Sequence, residues 1–224
     1  MSGMTARYQL YREHKYVSFA LNDLQRLIGK TDFRVAQDVA KVLHTFNGVM
    51  EMLKGHAHYE EERLHPLLKQ KNSAIFARVQ ADHEQLDENI AHLKQLLEKI
   101  VKCAAQVEQV EVGYQFYLAY MKFVADNLLH LHEEETILLP ELQRLYTDAE
   151  LKTIEAQTYV IMTAEQMVHM LQVLFPHMNP SDRQAFLSDI KESQPEKFTQ
   201  VWAHIRLEFA QQERDKLTQV LGIQ

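Results

Sequence analysis

Cysteine, turn formers and excess positive charge are all scarce in this chain. One cysteine, Cys103, stands in 224 residues, which excludes an intrachain disulfide framework and a thiolate metal cluster. Six glycines and five prolines hold less than half of the roughly 12% share these residues usually take. An all-β chain, with a turn about every 8–12 residues, needs more. A formal charge of −7 argues against nonspecific nucleic-acid binding, which depends on a cationic surface to displace counterions from phosphate. No apolar run approaches the roughly 20 residues that span a membrane, and the segment from Met1 to Tyr8 lacks an apolar signal core. A reducing, cytoplasmic home is therefore expected. What is left is a chain of long helices with few connections, whose 46% hydrophobic and 25% charged residues suit a sizeable soluble core. Histidine alone is in excess, with 12 copies, many beside glutamates.

Apolar periodicity predicts four long helices followed by a different tail. The first runs from about Thr5 to Gly29 with the stripe His14, Val17, Leu21, Leu24 and Ile28. The second starts near Asp32 and carries Phe46, Val49, Leu53, His56, Glu60, Leu64 and Leu67. The third opens after Asn72-Ser73 with Phe76, Val79, His83, Leu86, Ile90, Leu93, Leu97 and Ile100. The fourth, from about Val110 to Leu145, runs through Phe123, Asn127, His130, Glu134 and Ile137. Such spacing puts each set on one side of its helix. Short connections favour an antiparallel, all-α, up-down-up-down four-helix bundle.

An internal repeat sharpens the picture. His56-Ala-His58-Tyr-Glu60-Glu61 recurs as His130-Leu-His132-Glu-Glu134-Glu135, and Leu64 and Pro66 recur as Leu138 and Pro140, all at an offset of 74 residues. His14 precedes His56 by 42 residues and His83 precedes His130 by 47. Each half thus reads His, then His-x-x-x-Glu. The two prolines are expected to kink or end their helices just beyond the glutamates.

Residues at i and i+4 lie one above the other on a helix, so His56 with Glu60 and His130 with Glu134 each aim a nitrogen and an oxygen at one point. With His14 and His83 they form a candidate metal set of four imidazoles and two carboxylates. An isolated helical histidine is ordinarily a hydrogen-bonded structural residue, and a lone helical glutamate is ordinarily solvated. Unpaired carboxylates facing a core are costly, and it is the duplicated set that points to metal. Without thiolate, imidazole plus carboxylate suits iron or manganese, with zinc as the usual contaminant. His58 and Glu62 also stand at i and i+4, but they fall about 160–200° from the stripe centre, and Thr136 replaces Glu62 in the second copy. His58 and His132 therefore read as surface or supporting groups. Glu61 and Glu135 either orient ligand imidazoles or are plain surface glutamates.

The pattern His14, His56-x-x-x-Glu60, His83, His130-x-x-x-Glu134, with Glu-rich runs ending in Leu64-His-Pro66 and Leu138-Leu-Pro140, resembles the hemerythrin-like (HHE cation-binding) family over about residues 5–145. The resemblance implies a four-helix bundle holding two non-haem iron ions, oxo- or carboxylate-bridged, with Glu60 and Glu134 bridging. It implies His14 and His56 on one hairpin, His83 and His130 on the other. Oxygen-carrying hemerythrins have a second histidine four residues after the third-helix ligand, where this chain has Asp87. They close the site with an aspartate five residues after the fourth-helix ligand, where this chain has Glu135, while Glu134 matches a four-residue step. The pattern is nearer to di-iron domains of iron-sulfur repair, nitric-oxide and peroxide responses, or iron sensing.

Residues 5–145 are expected to form the metal-binding bundle and 146–224 a helical extension. Thr147-Asp148 is read as the cap of a helix through Met178, Asn179-Pro180 as a turn and cap, and Gln194-Pro195 as the start of a last helix through Trp202 and Phe209. The stretch from Met167 to Trp202 is similar to tails that follow such domains in multidomain iron regulators. The tail is read either as an amphipathic extension packed on the bundle or as a surface for a homodimer or protein partner, the latter suggested by the adaptable side chains of Met162, Met167, Met170 and Met178. His44, His65, His92, His169, His177 and His204 lack repeat partners and are read as structural or surface residues. Tyr11 is read as core packing or as a gate near the site. The expected function is binding or sensing of dioxygen, nitric oxide or iron. The alternatives are a di-iron enzyme acting on peroxide or nitric oxide, and a metal-dependent regulatory protein. No nucleic-acid or membrane partner is expected.

Overall fold

The computed structural model describes residues 7–223, the side chain of Asp82 excepted. The chain is all-helical, with no strand among the described residues. It divides into two compact units, Val17–Leu142 and Met1–Tyr16 with Gln143–Gln224. The described helices include none long and apolar enough to cross a membrane.

The unit Val17–Leu142 holds most of α1 (His14–Gly29), then α2 (Ala36–Arg63), α3 (His65–Gln70), α4 (Phe76–Lys102) and α5 (Gln106–Glu133). A π-helical turn, Glu134–Leu138, follows, and α6 (Leu139–Leu145) begins in the same unit. Helix α4 lies along α5, and α2 and α3 lie against α4. The predicted stripe residues Val17, Leu21, Leu24 and Ile28 of α1, Phe46 and Leu53 of α2, Ile90, Leu93, Leu97 and Ile100 of α4, and Phe123 of α5 are buried in the core, joined by Val42, Phe116 and Tyr120, which the stripes did not include. Each such side chain contributes roughly 1.5–3 kcal/mol by leaving water. The Tyr120 hydroxyl donates to the backbone carbonyl of Leu21 at 3.1 Å, so its one polar atom is satisfied.

Several boundaries differ from the sequence expectation. The start near Thr5 lies outside the described residues, and residues 7–13 are not helical, so α1 begins at His14. The reason is long-range bonding: the Tyr8 hydroxyl donates to Asp189 Oδ2 at 2.8 Å, Arg12 to the same oxygen at 3.0 Å, and Gln143 to the Tyr8 carbonyl at 2.9 Å. Asp32 does not cap α2. Its carboxylate accepts from the Arg34 backbone N–H and guanidinium, closing a turn of its own, and α2 starts at Ala36.

Both prolines mark a change of helix, by different routes. After α2 the backbone breaks at Leu64, and Pro66 sits in the first turn of α3, where its missing N–H costs nothing. Pro140 stays within a continuous helical path. The carbonyl its ring would meet is that of Thr136, four residues back, and this residue lies in the wide π turn. The π turn adds one residue to the repeat, and the buried stripe steps from the expected Ile137, which is exposed, to Leu138, which is buried. After the Leu64 break the same step makes Leu68 buried where Leu67 was expected.

The other unit contains α7 (Asp148–Ile161), α8 (Ala164–Leu174), α9 (Pro180–Ser193), α10 (Pro195–Ile205) and α11 (Gln211–Val220). Thr147 caps α7 in a reciprocal capping box with Glu150. The single helix expected to Met178 is divided at Met162-Thr163, because Thr163 makes a second box with Gln166. Asn179 caps α9 as expected. The last predicted helix stops at Ile205, and α11 follows as a separate element. Met167 and Met178 are buried with Phe175, Phe186, Phe198 and Trp202, and Met162 and Met170 lie against this cluster. Met167 and Met178 thus help fill the core of this unit, while Met162 and Met170 keep a partly exposed edge.

Candidate metal centre

Five predicted ligands of the unit Val17–Leu142 converge in two overlapping sets. One ligand atom each from Glu60, His83, His130 and Glu134 lies within 4.8 Å of all the others, and His56, Glu60 and Glu134 meet the same limit among themselves. Both carboxylates are therefore common to two ligand sets. Glu60 is fully buried and Glu134 and His83 nearly so, while His56 and His130 keep a small exposed edge.

The helices dictate this arrangement. Along α2, His56 Nε2 stands 3.8 Å from Glu60 Oε1, and across the α5–π junction His130 Nε2 stands 3.0 Å from Glu134 Oε1, both one turn apart. Helix α4 brings His83 Nε2 to 3.3 Å from Glu60 Oε2. The His83 and His130 rings meet edge to face, centroids 5.3 Å apart. His83 Nδ1 points the other way, 3.0 Å from Glu61 Oε1. A carboxylate only accepts, so Nδ1–H donates to Glu61, and Nε2 is the nitrogen that would face a cation beside Glu60. His14 heads α1 in line with Val17 and Leu21, is buried, and stacks on Tyr11 with centroids 4.6 Å apart.

The donor set fits metal cations. Two buried carboxylates among apolar residues demand positive charge close by, and nitrogen and oxygen donors without sulfur suit hard to borderline divalent or trivalent metals. A cleft of about 200 Å³ between α4 and α5, lined by Leu86, Asn89, Asn127 and His130 among others, opens on one of the imidazoles. It admits a molecule of a few atoms.

The competing positions lie elsewhere. His58 pairs with Glu62 at 3.3 Å with both side chains mostly in water, and His132 and Glu135 are exposed. His44, His92, His169 and His204 are exposed as well. Among the histidines read as structural or surface residues, His65 is not at the surface. It is buried, with its ring centroid 4.7 Å from that of His83 and 6.5 Å from Phe76. Burial, with His83 alongside, pushes its imidazole down to about 4. Sequence reasoning passed over it because it has no counterpart in the repeat: Leu139 stands at that place in the second copy. Its one signal was its position between Leu64 and Pro66, where a buried helix break follows the ligand turn.

Comparison with known proteins agrees with this reading. The family model described as the hemerythrin HHE cation binding domain matches residues 5–142. F-box/LRR-repeat protein 5 of Pongo abelii is 24% identical over 179 residues, 79% of this chain and 25% of that protein. The Mus musculus protein of the same name is 27% identical over 129 residues, 57% of this chain and 18% of its own length. The chain thus spans a quarter or less of these curated relatives. The longer match, wherever it begins in 224 residues, must run past residue 142 and so into the second unit. No solved structure matches the chain. From the doubled His-x-x-x-Glu motif, the convergent buried carboxylates and the family match, the chain belongs to the hemerythrin HHE cation-binding family.

Proposed function

We propose that α1, α2, α4 and α5 form a hemerythrin-type bundle around a non-haem di-iron centre, and that the protein binds or senses dioxygen, nitric oxide or iron. One ion would be held by His14 and His56, the other by His83 and His130, with Glu60 and Glu134 shared. Residues 5–145 would be the metal-binding module and 146–224 its helical extension. The observation that carries this reading is that Glu60 and Glu134 each belong to two convergent ligand sets. A single-ion site would not need both buried carboxylates in both sets. Manganese or zinc would fit the same donors less selectively.

The bound ions would supply open coordination positions for a small molecule. The chain's own part is to hold the carboxylates buried, to orient His83 through Glu61, and to offer a small molecule the cleft beside His130. The test is iron content after anaerobic loading, read with the absorption spectrum before and after air. Two irons per chain with new near-ultraviolet bands on aeration are expected. A chain that folds equally well without iron and shows no spectral change sinks the proposal.

The cleft also supports a second reading, a di-iron enzyme acting on peroxide or nitric oxide, and turnover by the iron-loaded protein separates the two. A third reading is regulatory: metal occupancy would be reported to a protein partner or a second copy through the C-terminal helices. It draws support from residues 8–12, which precede His14 and are bonded to Asp189 of α9. Iron-dependent hydrogen-exchange protection in α7–α11 would favour it.

A further inference from the structure

The structure assigns His65 to the metal centre as the residue that recognises the small exogenous ligand. We infer that its Nε2–H donates a hydrogen bond to a small anionic or dipolar molecule held beside His83. This rests on the metal-binding reading above and goes beyond it, since His65 belongs to neither ligand set.

Three observations carry it. First, the backbone break at Leu64 and the proline that follows turn a polar residue inward, and His65 is 5% exposed between buried Leu64 and Leu68. An apolar side chain would fill that place without a polar atom to satisfy. Second, His65 Nε2 is buried and makes no hydrogen bond to any described residue. A buried donor or acceptor without a bond loses its hydration with no return. A partner from outside the protein is the missing member. Third, the ring stands beside His83 yet outside the sets whose atoms converge within 4.8 Å. Ligands to one ion must converge on it. A group one step further out is placed to bond what the ion holds. The charged and titratable groups whose charge acts on His65 include Glu61 of α2, His83 of α4, His130 of α5 and Glu134 of the π turn. All belong to the site or support it.

The test uses iron-loaded full-length protein and azide as the probe, with His65→Phe and His65→Gln variants. Both variants are expected to bind as much iron as the wild type. His65→Phe should bind azide roughly tenfold more weakly, as for one lost charge-assisted hydrogen bond, and His65→Gln, which keeps an N–H, should recover part of the loss. The metal-free His65→Phe protein should melt no lower than wild type, because the orphan nitrogen is gone. Wild-type azide affinity in both variants, or a lower melting temperature of metal-free His65→Phe, overturns the assignment in favour of a packing role. Loss of iron from His65→Phe overturns it by making His65 a metal ligand. Failure of the wild type itself to take up iron is separately visible and removes the metal reading first.

Discussion

Glu61 holds Nδ1 of His83 at 3.0 Å while Nε2 of the same ring faces Glu60 at 3.3 Å, so one imidazole is oriented between an outer and an inner carboxylate. The outer oxygen accepts from Nδ1–H and the inner oxygen stands where a cation would bind. Glu61→Ala is expected to leave the helices intact, since Glu61 is half exposed, and to weaken iron binding about 10–100-fold. Iron competition against a calibrated chelator checks this, and an unchanged affinity would reduce Glu61 to a surface charge.

Burial separates the two kinds of histidine in the repeat. Replacing His56, Glu60, His130 or Glu134 by Ala should lower iron content. His58→Ala and His132→Ala, which alter exposed side chains, should keep it near wild type. Metal analysis of the six purified variants decides the matter. Iron lost from the His58 and His132 variants but kept by the others would mean the wrong helix face has been assigned.

Acid should weaken the metal-free fold through His65. Its imidazole titrates near 6.5 when unfolded and about 4 when folded, because burial disfavours the cation. Between those values the unfolded chain binds the additional proton, so the contribution is complete above about pH 6.5 and is lost as pH falls towards 4. The loss is roughly 1–3 kcal/mol across the window. Urea midpoints of metal-free protein at pH 7 and pH 5 should diverge more for wild type than for His65→Phe. Parallel behaviour of the two would show that His65 does not titrate in that range.

Asp189 anchors residues 8–12. Its Oδ2 accepts from Tyr8 and Arg12, Lys152 stands 3.4 Å from Oδ1, and the Arg12 and Asp189 side chains are both less than a tenth exposed. Arg12 also lies over the Tyr8 and Phe186 rings. Asp189→Ala leaves a guanidinium buried without its counter-charge and should cost about 3–5 kcal/mol. Chemical denaturation of the full chain measures it; a change under about 1 kcal/mol would place the pair effectively in water.

Helical stripes were legible in the sequence because they depend on local spacing. The stripe residues Val17, Leu21, Leu24 and Ile28 all came out buried, and the 74-residue repeat placed His56, Glu60, His130 and Glu134 on inward faces. A helix period relates residues three and four apart, and that relation survives whatever the helix lies against. Tertiary structure decided the rest. Whether residues 8–12 continue α1 depended on Asp189, about 180 positions away in sequence. Whether the stripe ran through Ile137 or Leu138 depended on the one-residue gain of a π turn, which places Thr136 in a widened coil four residues before Pro140. His65 became part of the site only when α4 brought His83 against it. Nothing local in Leu64-His65-Pro66 states which way the ring turns, because the direction of a side chain at a helix break is set by the neighbours that close over it.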